Sequence, residues 1–240
     1  MSKPNSISLI FPVYKDKFTV IRVINKSLKI LNKLNIRYEI IIIDDCCPDK
    51  SGKIALKKAK KNKKIKVLFH KTNLGYGAAI RTGFAKSKYE CIYAVDGDGE
   101  FGISLNDLPR ILKKYNENDL VITYRFKKRY KTTRIVISWI YNFLLRLLFD
   151  INFKDISCGA RLVSRKIIKK VKLTTNSPFI GAELAIKSKY LGFKVDEVGI
   201  HSYPNNFRPG SSIIFKNIIL TIKDIIILFT KIYIFKNLTR

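Results

Sequence analysis

Short apolar runs rich in β-branched residues recur through the first half of this 240-residue chain: "SISLIFPVY" (6–14), "YEIIIIDD" (38–45), "KIKVLFH" (64–70), "YECIYAVD" (89–96) and "DLVITYR" (119–125). Between them lie helix-compatible stretches, 17–34, 51–62, 75–87 and 104–116. Strand alternating with helix predicts an α/β fold, a mostly parallel sheet covered by helices on both faces. Ligands of such sheets sit beyond the carboxyl ends of the strands. Three of the runs end there in acid or turn chemistry: Pro12 to Asp16, Asp44-Asp45, and the stretch 96–100.

That last stretch closes "AVDGDGE" (94–100) and gathers acid in a chain with 47 Lys and Arg against 18 Asp and Glu. In extended backbone Asp96, Asp98 and Glu100 share a face. Like charges so close call for a cation among them, and hard oxygen ligands suit Mg²⁺ or Mn²⁺. Gly97 and Gly99 let the backbone turn and a bulky ligand approach. An acidic, glycine-rich turn facing water is the plainer alternative.

A formal net charge of +29 implies an anionic partner: nucleic acid, anionic lipid or a phosphorylated substrate. The lysine run at 57–66 falls where a surface helix would meet a strand, and no helix-turn-helix, zinc-finger or RNA-recognition signature accompanies it, so nucleic acid is not the expected partner. Cys46, Cys47, Cys91 and Cys158 form no C-x-x-C pair and suggest neither a zinc site nor a disulfide framework, which points to reduced thiols in the cytosol. The tract "IIFKNIILTIKDIIILFTKIYIF" is interrupted by Lys216, Lys223, Asp224 and Lys231, so it is expected to lie on an anionic membrane surface as amphipathic helices rather than to cross it. Packing on the protein's own core is the alternative. In "RIVISWIYNFLLRLLF" (134–149), Arg134, Ser138, Asn142 and Arg146 recur every fourth position and make one polar stripe on an otherwise apolar helix. His70 and His201 end strand-like runs and read as structural.

Taken in order, these segments resemble the family-two glycosyltransferases of GT-A fold, in their polyprenyl-phosphate branch typified by dolichol-phosphate mannose synthase. "FPVYKD" (11–16) is similar to the P-x-Y-N-E loop beneath the nucleotide, which carries Pro12, Tyr14 and Asp16 into donor binding. "IIIDDCCPDKSG" (41–52) resembles the segment whose aspartate, here Asp45, hydrogen-bonds the base; "NLGYGAAIRTGF" (73–84) resembles a glycine-bearing helix start. "DGDGE" is similar to D-x-D-x-Q: the resemblance places Asp96 at the ribose and makes Asp98 and Glu100 the metal ligands. "KDISCGARLVSRK" (154–166) resembles D-x-x-S-G-F-R-x-x-R, aligning Asp155, Ser157, Gly159 and Arg161. Arg125, Arg134 and Ser138 fit the residues that receive a lipid phosphate, and Arg208 in "FRPGSS" (207–212) fits the arginine that closes over the donor diphosphate.

The resemblance implies a GT-A catalytic domain over 1–211 and amphipathic interface helices over 212–240. It implies inverting, metal-dependent transfer of a hexose from a UDP- or GDP-sugar to dolichyl or undecaprenyl phosphate at the cytosolic membrane face, by a peripheral enzyme that a membrane-protein partner would complete in one arrangement. Asp98 and Arg208 then serve catalysis, with Mg²⁺ or Mn²⁺, by stabilising charge on the leaving diphosphate. A lipid phosphate, ionised near neutrality, needs no base. Two alternatives stay open: extension of a cell-surface glycan on a sugar hydroxyl, with Glu183 of "FIGAEL" as base, and a non-catalytic basic module binding membrane or nucleic acid.

Overall fold

The computed structural model describes residues 4–95, 105–115, 117–126, 132–201 and 215–234. In chain order the elements are β1 (Ser6–Val13), α1 (Val20–Leu34), β2 (Arg37–Asp44), α2 (Ser51–Ala59), β3 (Ile65–Phe69), α3 (Tyr76–Lys86), β4 (Cys91–Ala94), α4 (Leu108–Tyr115), β5 (Leu120–Arg125), α5 (Thr132–Phe149), β6 (Arg161–Ser164), α6 (Arg165–Lys170), α7 (Ile180–Tyr190), β7 (Val195–Ile200) and α8 (Phe215–Phe229). A π-helical turn, Thr230–Ile234, continues α8.

The seven strands form one sheet in the order β3-β2-β1-β4-β6-β5-β7. All neighbours pair in parallel except β6, which runs against both β4 and β5. β1 and β2 are buried along almost their whole length, as strands covered on both faces must be, hence their unbroken apolar sequence. Alternate residues part into two cores. Leu9, Phe11, Ile40 and Ile42 meet α1, α2 and α4 through Val23, Ala55 and Leu108. Ile10, Ile41, Ile43 and Ile92 meet α3, α5, α6, α7 and α8 through Phe84, Leu145, Ile167, Ile180 and Leu228. The molecule is a three-layer α/β/α sandwich, as the alternation of segments predicts; β6, α6 and α7 are added to the segments read from the sequence.

Two helices depart from ordinary packing. Of the eighteen residues of α5, Asn142, Leu145 and Phe149 are buried, while Trp139 is 60% and Leu147 69% exposed; by length and composition alone the helix is apolar enough to cross a membrane. α8 sets Leu228 into the core, as the turn that continues it does Ile232; α8 also stacks Phe229 edge-on against Phe149 of α5 and fixes Asp224 Oδ2 by the Ser177 hydroxyl at 2.6 Å. Ile219, Ile222 and Ile226 on its other side stay exposed. Where amphipathic helices on a membrane were expected over 212–240, the described residues contain one helix whose inner face packs on the protein itself.

Candidate functional site

The carboxyl ends of β1, β2 and β3 build one flank of the rim. Pro12 lies past Ile10↔Ala94, the last pair of β1 with β4, where its missing N–H costs that ladder nothing. Lys15 then takes positive φ (+62°), turning the chain so that the Tyr14 N–H reaches Asp16 Oδ2 (2.9 Å) while the Asp16 N–H donates to Ser51 Oγ (2.8 Å). At the end of β2 Asp44 accepts the N–H groups of Cys47 and Gly52, both at 2.7 Å, joining the turn to the first residues of α2. A Cβ on Gly52 would lie 2.0 Å from Asp44 Oδ2, so that clamp requires glycine. Asp49 accepts from the Lys17 N–H (3.0 Å) and from Ser51; burial raises its carboxyl, but these donors outweigh burial and hold it below the usual value. The Cys47 thiol, donating to Val13 O at 3.1 Å, is pushed up to about 12 by burial above all.

Asp45 is tied through both of its carboxylate oxygens. Its Oδ1 accepts from Leu74 N–H (2.9 Å) and meets His70 Nδ1 (2.7 Å), and its Oδ2 accepts from Gly75 N–H (2.9 Å). The other ring nitrogen of His70 lies 2.9 Å from Thr82 Oγ1 on α3. Gly75 sits at φ +93°, and a Cβ there would stand 2.8 Å from Asn176 O, which explains the glycine at this helix start.

The other flank forms because β6 is reversed. Its first residue, Arg161, stands opposite Ala94 of β4 and Ile122 of β5, so the residues leading into β6 arrive at the edge where the parallel strands finish. There Arg125, at the end of β5, donates from Nε to Asp155 Oδ2 (3.0 Å) and from Nη2 to Ser157 Oγ (3.2 Å), and the Ser157 hydroxyl donates to Asp155 Oδ1 (2.5 Å). Ser138 Oγ on α5 is 3.3 Å from Ser157 Oγ. Asn142, one turn on, is buried; its amide accepts the Ile156 N–H (2.8 Å) and donates to Ser138 O (2.7 Å), locking α5 to the loop. The polar stripe read in α5 therefore faces this cluster, with Arg134 half-buried one turn before Ser138. Arg161 supports the loop from beneath by donating to Ile156 O (2.8 Å), in space left by Gly181, where a Cβ would fall 2.1 Å from the guanidinium.

β4 lies between the flanks, and Val95, just past its end, donates its N–H to Ile10 O at 3.1 Å. From β1 to β5 is three strand spacings, about 14 Å. Asp96, Asp98, Glu100 and Arg208 lie outside the described residues; among the described ones no three His, Cys, Asp or Glu cluster as a metal site would need.

Glu183 was the base of the sugar-hydroxyl alternative, and the structure gives its carboxylate another task. It is 1% exposed and accepts from the N–H and hydroxyl of Thr174, the N–H and hydroxyl of Thr175, and Lys187 Nζ at 2.7 Å. Burial raises its carboxyl, yet Lys187 and the threonines bring it below the usual value. A carboxylate so occupied anchors the 172–175 loop to α7. The links of His70 to Asp45 and of Asn142 to Ile156 join positions 25 and 14 residues apart, and no local sequence signal announces them.

The undecaprenyl-phosphate mannosyltransferase of Micrococcus luteus is 29% identical over 166 residues, 66% of this chain and 63% of that protein. A dolichyl-phosphate beta-glucosyltransferase of Dictyostelium discoideum is 28% identical over 183 residues, 69% of this chain and 56% of the relative. This chain thus spans less than two thirds of the length of either. Among solved structures, glucosyl-3-phosphoglycerate synthase from Mycobacterium tuberculosis, in complex with Mn²⁺, UDP and phosphoglyceric acid, superposes with a TM-score of 0.73 at 15% identity, covering 95% of this chain and 78% of that one. At that identity the likeness is one of fold, the GT-A arrangement expected from the motifs. The family described as "Glycosyl transferase family 2" matches residues 8–172, the span that holds both flanks of the rim, and this chain belongs to that family.

Proposed function

We propose that this protein transfers a hexose from a nucleotide-sugar, a UDP- or GDP-hexose, to the phosphate of a polyprenyl lipid, dolichyl or undecaprenyl, with inversion at the anomeric carbon and at the cytosolic face of a membrane. The observation that carries the proposal is the union of two features on one helix: Ser138 of α5 joins Arg125, Asp155 and Ser157, while the outer side of α5 exposes Trp139, Phe143 and Leu147. A lipid phosphate needs both at once, donors for its head and an apolar surface for its surroundings. The relatives named above support this acceptor class by their own names.

The roles follow from charge. Arg125, held by Asp155, presents a guanidinium suited to a phosphate, and Arg134, Ser138 and Ser157 add donors around it. The phosphate oxygen is ionised, its second pKa being about 6, so aiming it is the work left to the protein. The engagement of Glu183 favours this over a sugar-hydroxyl acceptor, which would need a base. On the donor side Pro12, Tyr14, Asp16 and Asp45 line the nucleotide, Asp96 the ribose, and Arg208 the diphosphate. The carboxylates of Asp98 and Glu100 are a hard-oxygen set suited to Mg²⁺ or Mn²⁺; such an ion, when bound, would supply positive charge against the departing diphosphate. We take 1–211 as the catalytic domain, with α5 and the outer side of α8 as its contact with the bilayer.

Incubation with radiolabelled UDP-glucose or GDP-mannose, polyprenyl phosphate and Mn²⁺ tests the reading. Metal-dependent label in the lipid fraction is expected; label passing solely to soluble sugars overturns it.

A further inference from the structure

Three residues of α5 are buried, and they divide the helix unequally. Leu145 and Phe149 seat its far half in the core, while Asn142 is the one toward the rim. None of the residues 132–141, which carry Arg134 and Ser138, is fully buried. The rim half of α5 thus has no fully buried apolar anchor, and a polar clamp holds it instead. The orientation of that clamp follows from its partners. The Ile156 N–H can only donate, so the atom 2.8 Å from it is Asn142 Oδ1; the Ser138 carbonyl can only accept, so Nδ2 faces it at 2.7 Å.

Ile156 stands between Asp155 and Ser157 in the chain, so the clamp sets the height of both against the helix. Ser157 spends its hydroxyl hydrogen on Asp155 Oδ1, so in the 3.3 Å contact of the two serines the Ser138 hydroxyl is the donor. Asn142 Nδ2, 3.4 Å from Ser138 Oγ, lies on the accepting side of that oxygen and leaves its hydrogen turned toward the loop. Resting on the transferase reading above, we propose that Asn142 is a positioning residue for the acceptor. It fixes the spacing between Ser138 on α5 and the Arg125–Asp155–Ser157 cluster, so that one phosphate meets donors from helix and loop together. Trp139 and Phe143, stacked with ring centroids 5.7 Å apart and both exposed, belong to the same turn of helix, which therefore joins the apolar outer side of α5 to the phosphate donors.

The experiment follows initial rates of lipid labelling by the full chain in Mn²⁺, with undecaprenyl phosphate and the sugar nucleotide varied in turn. Asn142→Leu keeps the volume and removes both hydrogen bonds. It should raise the KM for undecaprenyl phosphate about tenfold and leave that for the sugar nucleotide within about twofold. A merely structural role would lower the melting temperature and the active fraction with both KM values unchanged, and so overturn the assignment. Should the leucine variant not fold, Asn142→Ala, which leaves room for water at the Ile156 N–H, is expected to show the same split; failure of both to fold makes the residue a stabiliser and overturns the proposal. Combined with Ser138→Ala, the rise in acceptor KM should fall short of the product of the two single effects, because the residues act as one unit. A full product overturns action through Ser138. Absence of lipid labelling by the folded, unsubstituted protein overturns the transferase reading, and this inference with it.

Discussion

The two flanks of the rim hold acid by different means. Beside β1 and β2, Asp16, Asp44, Asp45 and Asp49 are held largely by backbone N–H groups from neighbouring turns. Beside β5 and β6, Asp155 is held by two side chains, that of Arg125, thirty positions away, and that of its near neighbour Ser157. Backbone donors cannot be redirected, so the first flank is a preset cradle. Side-chain donors can share themselves with an incoming anion, so the second flank is organised yet able to rearrange around a phosphate.

The largest effect is expected from removing a carboxylate of the proposed metal set. Asp98→Asn should lower lipid labelling by about three orders of magnitude, the scale of losing a charge-stabilising group, with circular dichroism and melting temperature nearly unchanged; undiminished turnover breaks the metal assignment. Next comes Glu183→Gln, a control outside both flanks. Glu183 and Lys187 are each 1% exposed, so stranding the lysine should cost about 3–5 kcal/mol in urea unfolding. The folded carboxyl lies below its ordinary 4.5, so its stabilisation is complete above that pH and is lost as pH falls through the folded value. The melting temperature of the unsubstituted protein should therefore drop more steeply below pH 4.5 than that of the variant.

Arg125→Met tests the side-chain flank directly. It takes the Arg125 guanidinium away from Asp155, 3% exposed, at a cost of about 2–3 kcal/mol after allowance for the partial exposure of the arginine. Adding Asp155→Leu should recover stability while lipid labelling stays lost; recovery of both would deny the pair a part in acceptor binding. Gly52→Ala tests the backbone flank, since it drives a methyl into Asp44 and should cost about 1–3 kcal/mol, with acceptor affinity unchanged. The smallest effect belongs to Trp139→Ser. It removes a 60%-exposed ring from α5 and should weaken sedimentation with phosphatidylglycerol vesicles about five- to tenfold, as the loss of about 1 kcal/mol of apolar insertion would.

Local pattern made most of the fold legible. The five apolar runs became β1 to β5, and the fourfold spacing of Arg134, Ser138, Asn142 and Arg146 marked the side of α5 that meets the rim. β6 escaped because "RLVS" is four residues, buried throughout, with no alternation to show direction. The acids of the first flank could be read because each lies within a few residues of its strand end. Asp155 and Ser157 were visible as a motif, but their partnership with Arg125 spans about thirty positions and exists only once β6 has folded back.

That reversal also couples the interior to the surface chemistry. Arg161 pairs with Ala94 on one side and Ile122 on the other, while Leu162 and Val163 fill opposite cores. A slip of one residue would invert these side chains and shift Ser157 by about 3.3 Å along the strand direction. Misplacing the hydroxyl thus demands tearing the buried Arg161 guanidinium from Ile156 O and driving it into the opposite, wholly apolar core, so the interior guards the aim of the rim.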